Sequence, residues 1–180
     1  MQWIESFCDK CAKYLGVIIS FLLILMMVNV AFDTLNRYLM NSNSVALQEM
    51  EWHLFSVIIL LGTSYALSEE GHVRVDIFYT NFSAKKKAII NMIGVITFVL
   101  PLSLLVAFGS LGFVEEAYIF MEQSGDPGGL PYRFIIKGLI PTSFFILIFM
   151  SVGYFARNYN LLKRLNSGSK SWLEYGCFLQ

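Results

Sequence analysis

Residues Tyr14–Phe32 read YLGVIISFLLILMMVNVAF, nineteen residues in a row without Asp, Glu, Lys or Arg. As a helix rising 1.5 Å per residue, such a run crosses the ~30 Å hydrocarbon core of a bilayer. A cleaved leader carries a shorter apolar stretch of about 7–15 residues followed by a small-residue cleavage site. Here the chain continues Asp33-Thr34-Leu35-Asn36-Arg37-Tyr38, so the run is read as a permanent membrane span reaching about Asn36.

Three further runs share its character. Trp52–Leu67 becomes long enough to span when extended back to Leu47, which puts Glu49 and Glu51 at the membrane boundary. Ala88–Val114 carries Pro101 in its middle, where a missing N–H is expected to kink the helix. Gly138–Phe155 has Pro141 in its first turn, a position that tolerates proline. The alternating ten-residue pattern of a membrane barrel is absent, which leaves helices as the spanning elements. The expected fold class is therefore an all-α membrane protein with four transmembrane helices and short interfacial segments. One domain, 1–180, holds spans at about 14–36, 47–68, 88–112 and 135–156. Residues 157–180 form a tail in which Leu161, Leu162 and Leu165 alternate with Arg157, Lys163 and Arg164, a pattern suited to the membrane surface.

The composition agrees. Hydrophobic residues make up 56% and charged residues 14%, against roughly 25% charged in soluble domains, so a soluble enzyme of this size is disfavoured. Thirteen Lys and Arg balance thirteen Asp and Glu, without the basic excess that a nucleic-acid binder needs. Their distribution is uneven. Ten of the thirteen basic residues fall in the N-terminal segment, the second connection and the C-terminal segment. By the positive-inside rule both termini are cytoplasmic. The third connection, with Glu115, Glu116, Glu122 and Asp126 and the turn-rich Gly125-Asp126-Pro127-Gly128-Gly129-Leu130-Pro131, then faces outward.

Few residues invite chemistry. Cys8 and Cys11 form a Cys-x-x-Cys pair, but the surrounding βαβ context of a redox motif is lacking. Cys177 does not complete the four ligands of a structural zinc site. They are read as free cysteines in a reducing compartment. His53 and His72 lie about 28 Å apart along a continuous helix, too far to bracket one haem. No Asp, Glu, Lys or Arg falls near mid-membrane, where such groups usually mark ion or proton pathways. Asn29, Ser56, Thr63, Asn91, Thr97 and Ser103 are the mild polar residues inside spans and are expected to hydrogen-bond between helices. The interfacial clusters are richer. Asp33 and Arg37 can pair at i, i+4. Glu49, Glu51 and Trp52 mark a span entrance, and Gly71-His72-Val73-Arg74-Val75-Asp76 follows the second span. No cofactor, metal or catalytic residue is expected.

A set of short motifs completes the reading: Asn36-Arg37-Tyr38, Gln48-Glu49-Met50-Glu51-Trp52, the stretch Leu60–Leu67 running into His72-Val73-Arg74-Val75-Asp76, and Gly128-Gly129-Leu130-Pro131-Tyr132-Arg133 with Lys137 and Pro141. Together they closely resemble the small membrane subunit, DctQ type, of tripartite ATP-independent periplasmic (TRAP) transporters, over about residues 14–155. The resemblance implies a multi-pass subunit of the bacterial inner membrane that is not an enzyme. In that family a periplasmic binding protein delivers an organic acid to a large, sodium-driven elevator permease, which the small subunit buttresses. The permease is then expected on a separate chain. Arg37, Glu49, Trp52, His72, Arg74, Asp76, Asp126, Arg133 and Lys137 are the candidate partner contacts or interfacial anchors, toward permease, binding protein and membrane lipid. The alternative is a self-sufficient four-helix transporter acting as a homodimer, which needs a membrane-embedded carboxylate such as Asp33 or Glu49.

Overall fold

The structure, a computed structural model, describes the backbone of residues 2–69 and 82–176 and the side chains of 3–69 and 82–166. Four helical rods account for the four apolar runs. They are α1 (Gln2–Leu39), α2 (Val45–Ser68), a composite rod over Ala84–Ile119, and α6 (Arg133–Gly176). The composite rod comprises α3 (Ala84–Gly94), a π-helical turn (Val95–Val99), α4 (Leu100–Gly109) and α5 (Leu111–Ile119).

The rods are longer than the apolar runs that announce them. α1 has 38 residues, about 57 Å of helix, nearly twice the hydrocarbon core. Its first turns are polar, but Cys8 and Ala12 are buried with Met150 of α6, and that packing carries the helix back to Gln2. α6 likewise begins at Arg133, five residues before the apolar run, so Pro141 is its ninth residue and lies inside the helix rather than in its first turn. The start is set by the left-handed Tyr132 (φ 64°) and by the Arg133 N–H, which donates to the Glu122 carbonyl at 3.0 Å. At its far end α6 continues unbroken to Gly176, so residues 157–176 prolong the same helix.

Pro101 does not act alone. The preceding turn takes π register, with the Leu100 N–H donating to the Val95 carbonyl, and Pro101 follows as the second residue of α4. A proline ring clashes with the carbonyl four residues back and offers it no N–H. A widened turn moves those carbonyls aside, which is why π turns recur where helix register is interrupted.

α6 is the hub. It packs against α1, α2 and every part of the composite rod, while α1 also packs along α2. The contacts are close because the facing residues are small. Ser64, Ser103, Ser143 and Ser151 are fully buried, as is Ala107, and among the described residues Met150 is the only large side chain buried to the same degree. A β-carbon on Gly153 would collide with Cys8, and one on Gly16 would sit 2.8 Å from the Tyr65 ring. Small residues at crossings are the usual solution in lipid, where apolar side chains gain little by leaving the bilayer.

The hydroxyls inside the spans mostly serve their own helices. Ser56 donates to the Trp52 carbonyl (2.7 Å), Thr63 to Leu60 (2.8 Å), Ser103 to Val99 (2.6 Å) and Thr97 to Ile93. Of the polar residues expected to join helices, Asn29 and Asn91 do so. The Asn29 amide donates to the Leu47 carbonyl at 3.0 Å, and the Asn91 amide to Asn158 at 3.0 Å. A hydroxyl reaches its own i−4 carbonyl more readily than a neighbouring helix; the longer amide of Asn spans the gap.

Candidate functional site

Polar structure concentrates at the two ends of the bundle. At one end, the α1–α2 turn and the loop between α5 and α6 meet. Asn41 takes a left-handed conformation (φ 48°), Ser44 caps α2 by accepting the Leu47 N–H, and one turn further Glu49 points at the loop. The loop leaves α5 through Met121 (φ 44°) and reverses over Asp126–Gly129, where the Gly129 N–H donates to the Asp126 carbonyl at 3.0 Å. Gly128 supplies the left-handed residue (φ 84°), a conformation that suits glycine.

Glu49 is the centre of this end. Its carboxylate accepts the Ser124 hydroxyl, the Leu130 backbone N–H at 2.5 Å and the Arg133 guanidinium at 3.2 Å. One carboxylate of α2 thus holds the loop and the first residue of α6, which lie 75 to 84 positions away in the chain. A side chain at Gly129 would run into Ser124 and approach Glu49 Oε2 at 2.8 Å, so that glycine is needed for the close approach. Beside the clasp, Lys137 pairs with Glu122 and stands 3.9 Å from the centroid of the Phe113 ring, tying α6 to α5 and the loop.

Of the residues singled out in the sequence, Glu49, Arg133 and Lys137 therefore converge, but on partners within the chain. The Asp126 N–H bonds to the Ser124 hydroxyl at 3.2 Å, and the residue is exposed. Trp52 is 70% exposed, edge-to-face with Phe55. Arg37 pairs with Asp33 along α1 at 2.5 Å, as the i, i+4 spacing implies. Asp33 is buried, and its Oδ1 has no hydrogen-bond partner. His72, Arg74 and Asp76 lie outside the described residues.

The opposite end has a junction that the sequence reading passed over. The Arg157 guanidinium donates to the Ser68 carbonyl at the end of α2 (2.8 Å) and faces Asp9 of α1 at 3.8 Å. Next to it Asn158, buried, accepts the Asn91 amide and donates to the Tyr154 carbonyl at 2.9 Å. Asn160 donates to Glu5 at 2.8 Å. Arg157 and Asn158 close the last apolar run, and an arginine beside a helix C-terminus complements its unsatisfied carbonyls. That position was the available signal. These bonds also put the start of α1, the end of α2, the start of α3 and the end of α6 at one end of the molecule, where most basic residues gather.

Among the described residues no group of three or more His, Cys, Asp or Glu is placed to hold a metal. A cleft of about 410 Å³ between α2 and α6 is lined by Phe55, Ser56, Ile59, Leu60, Ile136, Lys137 and Ile140, almost all apolar.

The family model for tripartite ATP-independent periplasmic transporters, DctQ component, matches residues 14–161. The chain belongs to the DctQ family. It is thus a small-subunit component of a TRAP transporter and a multi-pass membrane protein. The Glu49 clasp falls within the matched region, as do Ser68, Asn91, Arg157 and Asn158 of the opposite junction, while Glu5 and Asp9 precede it. Comparison with curated proteins gave no match.

Proposed function

We propose that this DctQ subunit is the fixed membrane support of a larger permease, in the bacterial inner membrane with both termini cytoplasmic. The transporter it serves imports organic acids with a sodium gradient, after capture by a periplasmic binding protein. The observation that carries this reading is the surface. The described chain exposes 12495 Å², whereas a folded soluble monomer of 20.5 kDa exposes roughly 8,800 Å². Large apolar side chains are exposed along α1 and the composite rod, with Phe21, Met27, Phe98 and Leu105 all more than 60% exposed. Lipid and a membrane partner are what such surface suits.

The charged groups support a static role. Glu49, Arg133, Lys137 and Glu122 are engaged in holding the loop, and Asp33 is engaged with Arg37. A self-sufficient transporter needs an intramembrane carboxylate free to bind and release its ion, and Glu49 is closed by three donors. The exposed face of the 122–131 loop, with Asp126, is where the binding protein would dock.

The test is uptake into proteoliposomes under an inward sodium gradient, using a panel of labelled organic acids and the cognate binding protein. Uptake is expected with this chain and its large permease subunit together and none with this chain alone. Sodium-dependent uptake by the chain alone would overturn the reading.

A further inference from the structure

We infer that the seam between the start of α1 and the end of α6 binds the phosphate headgroup of an anionic phospholipid. A cleft of about 520 Å³ opens there, lined by Glu5, Ser6, Asp9, Lys10, Lys13 and Arg164. Its two acids are turned to the bundle. Glu5 accepts the Asn160 amide at 2.8 Å, and Asp9 faces Arg157 at 3.8 Å. Lys10, Lys13 and Arg164 form no ion pair among the described residues. With Arg157 adjoining, four cations stand against two carboxylates, and three of the four are open to a ligand.

The level of the cleft selects a lipid over a soluble anion. Cys8 packs on Gly153, Phe7 meets Phe149 edge-to-face at 5.9 Å, and Ala12 is buried with Met150. The stretch of α1 bearing Lys10 and Lys13 therefore runs beside the apolar end of α6, within the membrane-facing surface. Arg164 stands about two turns beyond the end of that run. Both lysines are exposed, and long basic side chains in this position lay their stems on apolar surface and lift the charge to the headgroup level. Trp3 and Tyr14, 77% and 72% exposed, flank the cleft along α1, as aromatic residues do at the membrane boundary. Exposed Val17 and Ile18 continue the same helix toward the membrane centre and offer surface for acyl chains. Basic pockets between membrane helices are suited to anionic headgroups. A zwitterionic headgroup brings its own cation and loses most of the attraction.

The experiment is native mass spectrometry of the full-length chain in detergent, titrated separately with phosphatidylglycerol and phosphatidylcholine. Each cation near a headgroup contributes on the order of fivefold in affinity. Phosphatidylglycerol is therefore expected to bind at least about tenfold tighter than phosphatidylcholine. The variant Lys10→Gln/Lys13→Gln/Arg164→Gln should lose most of that preference, whereas Lys85→Gln/Lys86→Gln, at the same end but outside the cleft, should keep it within about twofold. Millimolar inorganic phosphate should leave phosphatidylglycerol bound. Equal binding of the two lipids by the unaltered chain would overturn the proposal without any variant. So would an unchanged preference in the triple variant, displacement by inorganic phosphate, which would make this a soluble-anion site, or loss of the lipid on adding the permease, which would give the cleft to that protein.

Discussion

Glu49 has two oxygens and three donors to satisfy. In Glu49→Gln one oxygen becomes an NH₂ group, which must face a donor that it cannot accept. The loop is then held by fewer bonds, while the volume of the side chain is unchanged. Limited proteolysis between residues 121 and 132 is expected to speed up on the order of tenfold, the usual consequence of removing a hydrogen bond to a charged group; an unchanged rate would mean that the clasp does not hold the loop. Gly129 tests the same site sterically. Gly129→Ala should lower unfolding stability by about 1–3 kcal/mol, as overpacking of a close contact does. Gly125→Ala, with open space around its β-carbon, should change it little. At this scale the sequence singled out Glu49, Arg133 and Lys137 as partner contacts or interfacial anchors without naming what they touch, and the structure pairs each of them within the chain. Their mutual contacts were not legible, because nothing in a linear pattern shows that residues 75 to 84 positions apart face one another. Arg157 was passed over for the same reason, since its partners are a backbone carbonyl of α2 and a carboxylate of α1.

At the scale of elements, apolar runs located the four rods because no other structure satisfies the backbone in lipid. Their ends were less legible. Residues 2–13 carry four charges and no apolar run, yet they are helical because Cys8 and Ala12 pack on α6. Pro101 pointed to an irregularity in the third rod, but the π turn that accommodates it lies just before it, in apolar residues with no signal of their own. The α1–α6 crossing at Cys8 and Gly153 can be broken from one side. In a Cys177→Ser background, a maleimide should label the half-buried Cys11 readily and the buried Cys8 slowly. Adding Gly153→Val should push the helices apart and bring Cys8 labelling up to the rate of Cys11. If Cys8 stays protected in that variant, the start of α1 is not packed against α6 as described.

For the whole molecule the decisive feature is a bundle that leaves much of its apolar surface uncovered. α6 occupies the centre, and α1 and the composite rod each pack on it from outside, so both present long apolar faces to their surroundings. The polar groups at the two ends fix the rods to one another and leave no charged path between the ends among the described residues. The support role proposed above requires that the chain bind the permease it would hold. Native mass spectrometry of this chain, tagged and co-expressed with a TRAP permease subunit from the same organism, measures that directly. The expected result is a one-to-one complex that survives detergent extraction and retains bound lipid. A chain that elutes free of the permease, or as a homodimer active in transport by itself, would contradict the support role.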